Sequence, residues 1–118
     1  MFLAGESAEV YLYTAASDMR YGFDRLSEQI RTELQRSPLT GGYFVFFSRN
    51  RRKVRILYWD RDGYALWQKR LEAGSFKVEL RDGFEQITGV DLEQILSGME
   101  LSRIKFRKDA EKGLYSGV

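Results

Sequence analysis

The sequence predicts an α+β fold in a single domain: an antiparallel β-meander packed against one long N-terminal helix, with a short C-terminal helix. Three patterns carry this expectation. Met19, Phe23, Leu26, Ile30 and Leu34 recur at helical spacing. Between Tyr43 and Leu80, apolar runs are broken by glycine and aspartate turn signals. Thr88 and Asp91 stand at the spacing of a capping box, just before Leu92, Ile95 and Leu96.

Residues 10–13 read as a short strand of β-branched and aromatic residues. Ser17 or Asp18 supplies a side-chain oxygen to cap the helix that follows, which runs to about Gln35. Gly22 lies near its apolar face, where close approach to a sheet compensates the poor helix propensity of glycine. Pro38 ends the helix, because the residue before a proline avoids the α region. Residues 43–47 form an unbroken apolar run, typical of a strand covered on both faces. Residues 48–52 are polar and read as a hairpin loop. Residues 53–59 form the next strand, with Val54, Ile56 and Tyr58 facing one way and Arg55, Leu57 and Trp59 the other. Asp62-Gly63 marks a tight turn. Residues 64–71 read as a strand or a helix, and the turn before them favours the strand. Residues 76–80 are a fourth segment of the meander. After the helix at Leu92–Leu96, Gly98 is a natural stop. Residues 101–108 read as a short strand or an arm. No repeat or linker divides the chain, so the domain spans 1–108 and residues 109–118 form a frayed tail.

Composition bounds the function. The chain has 118 residues, 43% of them apolar, which suffices for one packed core. It contains no cysteine and no histidine. That removes thiol nucleophiles, disulfides, the usual zinc sites and the commonest general base near neutral pH. There is no phosphate-loop spacing and no serine nucleophile elbow. Any catalysis would have to run on carboxylates, lysine, tyrosine or serine alone, and no cofactor or metal is expected. No apolar run reaches the roughly 18–20 residues of a membrane span, and the first residues lack a signal-peptide pattern. A cytoplasmic protein without membrane contact is expected.

Charge is unevenly distributed although the net value is only +2. Residues 49–81 hold 10 basic and 4 acidic groups, and residues 82–100 hold 5 acidic groups and no basic one. Such a basic middle points to a surface that faces a polyanion. Its candidate phosphate contacts are Arg49, Arg51, Arg52, Lys53 and Arg55 on the hairpin, with Lys69 and Arg70 on the neighbouring segment. The bland alternative is a solvated hairpin kept soluble by its arginines. Tyr58, Trp59 and Trp67 could stack on bases if exposed, but core packing is the commoner fate of large aromatics. Asp60 and Asp62 could hold a divalent cation; an Asp-x-Asp-Gly between apolar runs is far more often a turn.

Two stretches go beyond generic pattern. Asp18-Met19-Arg20, Phe23-Asp24 and Leu26 form one. Arg55-Ile56-Leu57, Trp59-Asp60, then Lys69-Arg70-Leu71-Glu72, Gly74 and Phe76 form the other. In order and spacing they resemble the TnpB, or Orf-two-like, accessory proteins of insertion sequence 66 elements, over about residues 1–108. Tyr21, Arg55, Arg61 and Lys77-Val78 depart from the family's commoner residues. The resemblance implies a non-catalytic role in transposition (DNA recombination), beside a separate transposase and another small protein of the element. DNA, either element ends or non-specific sequence, is the first expected partner. The alternative is an adaptor that docks the transposase through the acidic stretch 82–100 and touches no DNA. Oligomeric state is left open. Within the motif, Met19, Phe23 and Leu26 read as structural, and Arg20 and Asp24 as a surface pair.

Overall fold

The computed structural model describes residues 8–79 and 81–98. In chain order the elements are β1 (Val10–Ala16), α1 (Phe23–Gln29), a π-helical turn (Ile30–Leu34), a 3₁₀ turn (Pro38–Thr40), β2 (Tyr43–Phe47), β3 (Lys53–Asp60), β4 (Gly63–Arg70), β5 (Phe84–Ile87) and α2 (Gly89–Leu96). The strands form one five-stranded sheet in the order β4-β3-β2-β1-β5. Pairs β2–β3, β3–β4 and β1–β5 are antiparallel, as short hairpin and return connections dictate.

The expected meander needs correction at β1. It lies between β2 and β5 and runs parallel to β2, with Val10 opposite Tyr43 and Leu12 opposite Val45. The reason is the connection: a helical crossover brings the chain back to the starting end of the sheet, so the next strand runs parallel. Residues 71–79 are a second correction. No strand forms there. The segment instead crosses one face of the sheet, burying Phe76 and Val78.

Side-chain alternation divides the core in two. Val10, Leu12, Val45, Phe47, Val54 and Ile56 face the layer made by α2 and the crossing segment. Tyr11, Tyr13, Phe44, Phe46 and Leu57 face α1, through Leu26 and Ile30. This explains the unbroken apolar run of β2, which is covered on both sides. Packing is largely aromatic: Tyr11 stacks on Phe44 at 5.4 Å, and Phe47 meets Phe76 edge-on at 5.6 Å.

The long N-terminal helix is not formed. α1 starts at Phe23, and its seven residues continue only through the five-residue π-helical turn, ending where Gln35 adopts a left-handed conformation. Two interactions, one local and one from β3, stop the helix from starting earlier. The Asp18 carboxylate accepts from the Arg20 backbone N–H at 2.9 Å and from its guanidinium at 2.7 Å, closing a turn before the helix. Arg55 of β3 donates to the carbonyl oxygens of Met19 and Tyr21, which a helix would need for its own ladder. Phe23, expected on the buried face, is therefore 45% exposed, and Arg20 pairs with Asp18 rather than Asp24.

α2 forms as its sequence signal requires. Thr88 Oγ1 accepts from the Asp91 N–H at 3.0 Å, and the Asp91 carboxylate accepts from the Thr88 N–H at 3.1 Å. Leu92, Ile95 and Leu96 are buried, and Gly98 turns the chain with φ +99°. The arm expected over 101–108 and the tail over 109–118 lie outside the described residues.

Candidate nucleic-acid interface

The β2–β3 hairpin is built by its small polar residues. The Ser48 hydroxyl donates to Asn50 Oδ1 at 2.8 Å and accepts from the Lys53 N–H at 3.1 Å. Asn50 Oδ1 also accepts from the Arg52 N–H at 3.0 Å. These bonds, with Arg51 at φ +58°, hold the loop in one shape and fix where its basic side chains emerge.

Strand register then sets their neighbours. Lys53 lies opposite Arg70, and Val54 lies opposite Lys69. Lys53 and Arg70 share the face that carries α1, while Lys69 emerges on the other face, beside Glu93 and Gln94 of α2. The basic residues therefore do not form one stripe. Arg49, Arg52, Lys53 and Arg70 border a cleft of about 780 Å³, with Ser17, Asp18, Met19, Ser48, Asn50 and Glu72 completing its walls. The cleft sits where β1 and β2 end, at the carboxyl ends of the two parallel strands. In open α/β sheets that is the end where ligands bind.

Three of the seven expected contacts are placed elsewhere. Arg55 is 7% exposed and directed at the backbone of the 19–21 loop; burial lowers its pKa by penalising the charged form. It braces that loop and does not border the cleft. Arg51 donates to the Val78 carbonyl at 3.2 Å and helps hold the crossing segment. Lys69 faces α2.

Within the cleft, Arg52 donates to the Glu72 carbonyl at 2.8 Å, and Arg70 pairs with the Glu72 carboxylate at 3.0 Å, in solvent. Asp18 is tied to Arg20, whose hydrogen bonds hold its carboxyl down to about 2, so it stays ionised. Arg49 and Lys53 have no ion-pair partner among the described residues. Four cations thus meet two carboxylates, both engaged with arginine. The arrangement can take an anion. Sequence reasoning missed Ser17, Asp18 and Glu72 as wall residues. Ser17-Asp18 reads as a helix cap, and only the structure shows the chain turning there instead.

The aromatic candidates do not border the cleft. Trp59 packs edge-on against Tyr64 at 5.2 Å and donates its indole N–H to the Arg61 carbonyl, near the β3–β4 turn. Tyr58 packs on Tyr43, and Trp67 lies against the α2-side core. Asp60 and Asp62 are exposed in the same turn, at the end of β3 away from the hairpin. No cluster of three or more metal-ligating side chains occurs among the described residues. No described helix is long and apolar enough to cross a membrane.

Fold and cleft together define a small mixed-sheet α+β protein that presents a cationic recess. The chain belongs to the IS66 Orf2-like family, whose profile matches residues 8–106, and is thus an accessory protein of that family. It is similar to two uncharacterised proteins of Sinorhizobium fredii. One, y4hO, is 32% identical over 101 residues, covering 85% of this chain and 88% of the relative. The other, y4jC, is 28% identical over 97 residues, covering 81% and 83%. No solved structure matches the chain significantly.

Proposed function

We propose that the protein assists transposition of an insertion sequence 66 element by holding DNA phosphates at the hairpin cleft, without catalysing a step itself. The observation that carries this reading is the register of β3 and β4. It brings Lys53 and Arg70 together beside Arg49 and Arg52, on a loop stiffened by Ser48 and Asn50. Cations placed this way neutralise backbone phosphates and release counterions, so affinity falls steeply with salt and depends little on sequence. The test is binding of the purified protein to element-end DNA and to unrelated DNA at two salt concentrations. Salt-sensitive binding to both supports the reading. A preference for element ends would make the protein a specificity factor as well. Absence of binding at low salt defeats it.

A second reading rests on α2. Val90 is 47% exposed and lies beside Glu93, Gln94 and Lys69 around a shallow groove, within the acidic stretch. A surface of this kind suits a protein partner, and the element's transposase is the candidate. A complex with the purified transposase that survives nuclease treatment favours this adaptor role. Loss of the complex after nuclease opposes it.

A further inference from the structure

The cleft contains a feature that general phosphate attraction does not explain. Ser17 follows the end of β1 and is 8% exposed. Its backbone N–H donates to the Phe47 carbonyl at 2.8 Å, which pins the residue between the ends of β1 and β2. Its hydroxyl is buried and has no hydrogen-bond partner among the described residues. Buried hydroxyls are normally satisfied, and one left without a partner costs free energy that a simple change to alanine would recover. Other buried polar atoms lack partners too, on Gln29, Arg36, Arg51 and Arg55, but of these residues only Ser17 lines the cleft.

The cleft's size also argues for a small ligand. About 780 Å³ lies within the roughly 300–1,000 Å³ typical of small-molecule sites. Among the described residues, Asp18 and Glu72 are already paired with Arg20 and Arg70, which leaves Arg49 and Lys53 as the cleft cations free to meet a phosphate.

Resting on the DNA-binding reading above, we infer that the cleft is a pocket for one phosphate group of a nucleotide, with the Ser17 hydroxyl donating to a phosphate oxygen and Arg49 and Lys53 neutralising its charge. The phosphate is carried either by a free mononucleotide or by the end of a DNA strand. Both present the same terminal phosphate monoester.

The experiment is calorimetric titration of the full chain with four probes. These are inorganic phosphate, thymidine monophosphate, a short oligothymidylate bearing a terminal phosphate, and the same oligonucleotide without it. Saturable binding is expected for every probe with a terminal phosphate, and the unphosphorylated strand should bind at least about tenfold more weakly than its phosphorylated twin, the value of one charge-assisted hydrogen bond. Ser17→Ala should weaken phosphate binding by about tenfold while melting no lower than wild type. A merely structural Ser17 would show the opposite pattern. Arg49→Gln should weaken the same probes and leave the melting temperature unchanged. Tighter binding of the mononucleotide assigns the pocket to a free nucleotide, and tighter binding of the phosphorylated strand assigns it to a strand end; either supports the inference. It is overturned if no phosphorylated probe saturates, or if Ser17→Ala binds as wild type does. Retention of salt-sensitive duplex binding in that case leaves the broader DNA-binding reading standing, whereas loss of duplex binding as well removes both.

Discussion

The guanidinium of Arg55, on the third strand, donates to the carbonyl oxygen of Tyr21 at 2.6 Å, across the gap to the loop that leads into the first helix. A second donation, to Met19 at 3.2 Å, makes Arg55 the brace that fixes this loop, and with it one wall of the cleft. Replacing Arg55 with methionine keeps the apolar stem and leaves two carbonyl oxygens without their donor. Stability should fall by about 2–3 kcal/mol, read as a lower urea midpoint at constant slope. Arg55→Lys should not restore it, since a single ammonium cannot reproduce the planar fork. An unchanged midpoint in Arg55→Met would show that the loop is held by other contacts.

Arg51 and Arg61 share a positive φ of +58°. A left-handed turn costs a non-glycine residue roughly 1–2 kcal/mol, part of which a glycine repays through its freer unfolded chain. Arg61 is exposed in the β3–β4 turn, so Arg61→Gly should raise stability by up to about 1 kcal/mol. Arg51 also donates to the Val78 carbonyl and lies half-buried, so Arg51→Gly should be destabilising despite the same φ. Thermal melts of the two variants, moving in opposite directions, check the comparison.

The capping box of α2 links Thr88 to Asp91, and its loss should be felt in the α2-side core. Thr88→Ala removes the acceptor for the Asp91 N–H, at a cost of about 1 kcal/mol. The change should appear first as faster hydrogen exchange over 89–96, with the sheet exchanging as before. Uniform acceleration across the whole chain would contradict this.

The Asp18–Arg20 turn has a pH signature. Hydrogen bonds from Arg20 hold the Asp18 carboxyl down to about 2, below its usual value of 3.8. A depressed folded pKa means that the turn's contribution is fully present above the ordinary carboxylate range and is lost as pH falls from about 4 through about 2. Both side chains lie at the surface, so the effect on global stability should be small. Carboxyl titration followed by NMR should place the Asp18 midpoint near 2, and Arg20→Gln should return it toward 3.8.

Much of the sheet was legible because its signals are local. The alternation in β3, the two-sided apolar run of β2 and the Asp-Gly turn each report on a few neighbouring residues. The Asp62-Gly63 signal located the turn correctly, yet the left-handed residue is Arg61 and not the glycine. The capping box of α2 was legible for the same reason. What stayed hidden depended on distant partners. Nothing local to Met19–Phe23 reveals that Arg55, more than thirty residues on, takes the carbonyls a helix would use. The parallel pairing of β1 with β2 follows from the crossover, and the place of β5 beside β1 from a return across the sheet. The basic hairpin was visible as composition. Its division into a brace, a strap and a cleft required the register of β3 against β4 to be known.

Under the proposed function, DNA is held at the cleft by cations that the fold does not otherwise use. Arg49 and Lys53 meet that description, and Lys69, on the opposite face, is the internal control. The most direct measurement is the salt dependence of DNA binding for wild type, the Arg49→Gln/Lys53→Gln double variant and Lys69→Gln. If each of the two cleft cations meets one phosphate, the double variant should bind more weakly and its log–log salt slope should flatten by about 2 units, while Lys69→Gln leaves the slope nearly unchanged. An unaltered slope in the double variant, or an equal loss in Lys69→Gln, would contradict the assignment of the cleft as the DNA-holding surface.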